Sequence, residues 1–173
     1  MSDNGVSAQG VSAQGVSVQG AVPTAPIAVV EHREVLRAAI LEVEDALALP
    51  SFGRGGAWCA KVATTARTLE AAFADHVHLT EAPDGLYNDL LSMAPRLAHR
   101  VTSLHNDHVE IMSGLTGFLN GLDSAVENTG SVDEDGVDAW RVDGTRLLGL
   151  LVRHRQRGID LTYEGYGDDL GGG

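Results

Sequence analysis

Seven histidines are present in the 173-residue chain, and four of them, His32, His76, His108 and His154, share one property. Each stands where an apolar residue is due in a stripe of spacings three and four. The stripes read Val29, His32, Leu36, Ala39, Val43; Leu69, Phe73, His76, Thr80; Leu104, His108, Ile111, Leu115; and Leu147, Leu151, His154, Gly158, Leu161. If seam positions were filled at random, all four helices would carry a seam histidine roughly 1 time in 40. Buried neutral imidazoles have two stable uses. They can bind a metal through their nitrogens, or they can hydrogen-bond to one another and to carbonyls with lowered pKa values. A nitrogen-rich donor set favours Fe, Zn, Cu or Ni over Mg or Ca.

The elements that carry these residues put them at one height. His108 precedes the turn-rich segment 127–136 by about as many residues as His154 follows it, so at ~1.5 Å per residue both lie about 25 Å from that connection. His32 and His76 match in the same way across the turn PSFGRGG at 50–56. The four imidazoles are therefore expected to converge. His78 and His99 fall two residues off their stripes and are expected to face solvent, whereas His105, three before His108, is a candidate supporting residue. Asp107 and Glu110 flank His108 off the seam and read as solvated charges.

The rest of the chain is consistent with a scaffold of this kind. Four periodic segments separated by turn signals predict an all-α fold, an up-down-up-down four-helix bundle. Pro95 isolates 86–93 as a short extra helix between helices two and three. Residues 5–20 repeat GVSAQ three times with one substitution, and this low-complexity segment marks 1–24 as a disordered tail; the domain follows at 25–166, with a flexible end at 167–173. GRGG at 53–56 lacks the strand and the Lys of a phosphate loop and reads as a turn. Tyr87, Tyr163, Tyr166, Trp58 and Trp140 read as packing residues at the bundle ends, with a redox or channel role as the alternative.

A net charge of −12 with scattered basic residues argues against nucleic acid or an anionic membrane as partner. The single cysteine, Cys59, allows no internal disulfide, which fits a reducing, cytoplasmic setting. No serine elbow, general acid or substrate motif is present, so a binding role is expected ahead of an enzymatic one.

Three stretches resemble the hemerythrin-like family of cation-binding four-helix bundles. They are EHREVLRAAI at 31–40, LEAAFADHVHLTEAPDGLYNDLLSMAPRLAHRVTSLHNDHVEIM at 69–112, and LLGLLVRHRQRGIDLTYEGYGDDLGG at 147–172. The resemblance implies non-haem iron and a small diatomic ligand such as oxygen or nitric oxide, in sensing or storage of oxygen, nitric oxide, iron or redox state. Carried over by position, it implies His32, His76, His108 and His154 as metal ligands. Glu81 is the one carboxylate within reach, provided helix two unwinds before Pro83. Thr80 and Tyr163, with His105, are implied as supporting residues. Met112 and Leu104 stand where a second histidine of helix three would be, and Gly158 and Ile159 where the carboxylate of helix four would be. The alternative expectation is a metal-free structural or interaction bundle whose histidines form a hydrogen-bonded core.

Overall fold

The computed structural model describes residues 27–129 and 132–167, and all the regular structure among them is helical. Helix α1 spans Ile27–Ala48, α2 Gly55–Glu81, α3 Leu86–Met93, α4 Ala98–Thr129 and α5 Glu134–Gly167, with a 3-10 turn at Pro95–Leu97 before α4. The proposed tail 1–24 and residues 168–173 lie outside the described residues. Gly167, expected in the C-terminal end segment, instead closes α5.

The helix boundaries follow from local chemistry. After α1, Gly53 adopts a left-handed φ of 66°, which turns the chain at no steric cost and makes GRGG an interhelical turn as expected. Ala82 leaves α2 in an extended conformation because Pro83 follows it. Ala94 leaves the helical conformation before Pro95, so α3 ends there and Pro95 opens the next turn. At the start of α5, Asp133 accepts a hydrogen bond from the Gly136 amide at 2.9 Å, while Glu134 and Asp135 in the first turn complement the helix dipole.

The four long helices pack together, α1 on α2, α2 on α4, α4 on α5 and α5 back on α1. Arg33 near the start of α1 reaches Thr162 late in α5, and Arg141 early in α5 reaches the Leu47 and Leu49 carbonyls at and beyond the end of α1. Gly121 lets α4 and α5 approach closely, because a Cβ there would fall 2.2 Å from the Trp140 ring. The expected stripes are the buried ones, with Leu36, Leu69, Leu104, Ile111, Leu115 and Leu151 all fully buried.

Two apolar clusters result. The larger holds Leu36 to Leu47 of α1, Trp58 to Phe73 of α2, Ile111 to Leu122 of α4 and Val137 to Leu151 of α5. The smaller holds Val29, Leu86, Tyr87, Leu90, Leu97, Leu104 and Leu161, so it depends on α3 and the 3-10 turn. Along every long helix the crossing from one cluster to the other passes through a histidine: His32 between Val29 and Leu36, His76 between Phe73 and the α3 residues, His108 between Leu104 and Ile111, and His154 between Leu151 and Leu161. Among the described residues, no helix is long and apolar enough to cross a membrane.

Candidate metal centre

Three of the four seam histidines converge. His76 on α2, His108 on α4 and His154 on α5 bring their ligating nitrogens within 4.8 Å of one another. The His76 and His154 Nε2 atoms are 3.1 Å apart, and so are those of His108 and His154. Phe73 lies one helical turn before His76 and forms the floor. Its ring centroid is 5.6 Å from His76 and His108 and 5.7 Å from His154. Tyr87 of α3 stacks on His108 with its hydroxyl 3.4 Å from that Nε2.

His32 is placed at the expected level but does not join the converging nitrogens. Its ring stacks against His76 at 6.1 Å, and its Nε2–H donates to the Ala72 carbonyl at 2.9 Å. A nitrogen that donates a proton to a carbonyl has no lone pair to offer a metal. His32 thus supports His76 from the α1 side.

Glu81 also differs from expectation. Helix α2 does not unwind before it but runs through it as its last residue. From there its Oε1 accepts from His108 Nδ1 at 2.5 Å and from His105 Nδ1 at 2.7 Å. It therefore binds the outer nitrogen of His108, and His105 joins as a supporting residue. Thr80 is buried and donates to the His76 and Val77 carbonyls at 2.9 and 3.1 Å. Tyr163 is 76% exposed, too far on the outside of α5 to support the site.

Asp107, read from sequence as a solvated charge, is the residue that sequence reasoning missed. Its Oδ2 accepts from His154 Nδ1 at 3.3 Å and is also held by Arg157. The signal was chemical: a buried imidazole needs a partner for its second nitrogen, and a carboxylate one position off a neighbouring seam can reach that nitrogen from the side.

These partners fix the protonation pattern. Glu81 and Asp107 each take an Nδ1–H, so the neutral imidazoles of His108 and His154 turn their Nε2 lone pairs toward each other. Two lone pairs at 3.1 Å repel unless a cation stands between or beside them, or a donor such as the His76 Nε2–H or the Tyr87 hydroxyl takes them up. A proton is disfavoured as that cation. Burial, reinforced by the neighbouring imidazoles, holds His76 down at about 2. Burial, with the neighbouring His108 imidazole disfavouring a second proton in the cluster, lowers His154 to about 4 despite Asp107, and burial lowers His108 although Glu81 opposes it. Neutral imidazole nitrogens with carboxylates on their far side are a donor set for a divalent transition metal. Burial also raises the Tyr87 pKa, so its hydroxyl stays protonated beside the site. His78 and His99 face solvent as expected.

No family model, no curated protein and no solved structure matches the chain.

Proposed function

We propose that this chain is a metal-binding protein with one non-haem transition-metal ion on the Nε2 atoms of His76, His108 and His154, in an up-down-up-down bundle of hemerythrin-like type. The observation that supports it is the pair of outer carboxylates. Glu81 and Asp107 orient two imidazoles so that their lone pairs converge in an apolar surround where a proton is unwelcome. Three protein nitrogens leave coordination positions free for an exogenous ligand. One ion is proposed, because two dications repel and need bridging carboxylates, whereas both nearby carboxylates are engaged on the outer nitrogens.

Iron is the ion proposed, on the sequence resemblance, with binding or sensing of a small ligand such as oxygen or nitric oxide as the role, in a reducing cytoplasm. Bound there, a ferrous ion would supply a redox-active Lewis acid. The chain's own residues orient the imidazoles, exclude bulk water with Phe73 and Tyr87, and hold a protonated phenol at the rim.

The test is anaerobic titration with ferrous iron followed by elemental analysis. About one ion per chain is expected, lost in His108→Ala and His154→Ala. No retained iron, zinc or cobalt, together with unchanged melting of these two variants, would defeat the reading. A metal-free histidine core is the second reading, favoured by the 3.1 Å between the His76 and His154 Nε2 atoms, which is also a hydrogen-bond length. It requires melting to be indifferent to every one of these ions.

A further inference from the structure

Arg33 follows His32 on α1, and Arg155 follows His154 on α5. Together with His76, Thr80, Tyr87 and Gly158 they line a small, partly closed cavity that also reaches His154. Its free volume is about 20 Å3, room for little more than one water-sized group. Arg33 is half-buried, and burial lowers its pKa, with Arg155 near enough to lower it further. Its Nη2 donates to Thr162 Oγ1 at 2.7 Å, and that hydroxyl donates on to the Gly158 carbonyl at 2.7 Å.

Neither arginine has a carboxylate partner among the described residues, although the chain holds 24 acidic residues against 12 basic ones. Acids are plentiful elsewhere and kept off this wall. A guanidinium half out of water with only a hydroxyl for company retains most of its five donors and most of its uncompensated charge. Gly158 preserves that condition. A Cβ there would meet nothing within 4 Å, so an acidic side chain at 158 would have space to enter, and glycine leaves both the room and the positive charge unused.

We propose that this cavity receives one end of a small monoanion of two or three heavy atoms, held by the forked guanidinium of Arg33, with Arg155 at the rim, and facing the imidazole nitrogens of His76 and His154. The inner contact rests on reading those nitrogens as a metal site; the arginine contact does not. The anionic class separates this pocket from one suited to neutral gases, because an apolar lining would suffice for those, and a half-buried cation would not help them.

The test is calorimetric titration of the cobalt(II)-loaded protein with formate, its uncharged counterpart formamide, and the bulkier acetate. Formate is expected to saturate, formamide to bind about tenfold more weakly or worse, and acetate to be penalised by the cavity size. Arg33→Met should weaken formate about tenfold, the loss expected for a charge-assisted hydrogen bond, with cobalt affinity unchanged. Arg155→Gln, a milder change at the rim, should weaken it less. Equal binding of formate and formamide, or formate affinity indifferent to both substitutions, would overturn the proposal. Should cobalt fail to bind, the metal reading falls separately. The pocket is then judged on the metal-free protein by melting in sodium formate against sodium chloride of equal ionic strength. A rise in Tm that Arg33→Met removes sustains the pocket, and no rise removes it.

Discussion

The two apolar clusters on either side of the histidine layer are built on different plans. The larger takes residues from all four long helices, so each of its side chains is held by partners far away in sequence. The smaller takes only Val29 from α1 and Leu161 from α5, has Leu97, Val101 and Leu104 from the 3-10 turn and the start of α4, and relies for much of the rest on Leu86, Tyr87 and Leu90 of an eight-residue helix. The polar layer lies where a strong packing region meets a weak one. A bundle that placed leucine at 76, 108 and 154 would bury more apolar surface. Placing imidazoles there instead gives up stability at the junction, and the larger cluster is what sustains that loss.

This contrast can be broken at several points. Phe73 belongs to the larger cluster and also floors the histidines, so Phe73→Ala carries the largest expected effect. A loss of about 3–5 kcal/mol in urea unfolding is anticipated, together with weakened metal binding. A loss below about 1 kcal/mol would mean the junction collapses to fill the space. Next come the outer carboxylates. Asp107→Asn and Glu81→Gln should each lower zinc affinity about 10–100-fold in chelator competition, with near-native unfolding midpoints in the metal-free protein. Unchanged affinity would separate those carboxylates from the site.

Acid should reveal the layer without any mutation. The unfolded imidazoles protonate near 6.5, whereas folded His154 does so only near about 4 and His76 near about 2. Within that window the unfolded chain binds more protons, so metal-free protein loses stability as pH falls from about 6.5 toward 4. His154→Gln should flatten this slope, while Leu151→Ala should lower the whole curve and leave its slope unchanged. Stability that stays level between pH 7 and 4.5 would contradict the burial of neutral imidazoles. The smallest effect belongs to the outer surface. Arg146→Ala, which breaks an exposed pair with Asp143 at 3.1 Å, should change unfolding by less than about 0.5 kcal/mol.

Much of this arrangement was legible in the sequence, and the boundary has a physical origin. Periodicity and proline placement located α3 at 86–93 and the break at Pro95, because these signals act locally, although Pro95 opens a separate 3-10 turn and α4 itself starts at Ala98. Counting residues along helices put four histidines at one level, because helical rise is fixed. What counting could not supply was the rotation and tilt of each helix. That decides whether an Nε2 meets a lone pair, as for His154, or a carbonyl, as for His32 at Ala72. Helix α2 begins at Gly55 and α5 at Glu134, each just inside the turn segments 50–56 and 127–136, and Asp133 caps the second. Asp107 was misjudged for a related reason. A seam register separates inside from outside, but the outer nitrogen of a buried imidazole points at the border between them.

Helix α3 has a further consequence for timing. An eight-residue helix is too short to hold its shape alone, so it persists only while Leu86, Tyr87 and Leu90 stay seated. Its release exposes a small area and leaves the four long helices intact, which makes it a unit that opens far more often than the whole protein unfolds. Hydrogen exchange at the α3 amides should accordingly be much faster than in the middle of α4. Because Tyr87 stacks on His108, each such opening would also uncover the imidazole cluster. The rate at which an ion or small ligand trades places with solvent would then be set by the fluctuation of this lid of about two turns, and not by the durability of the bundle beneath it.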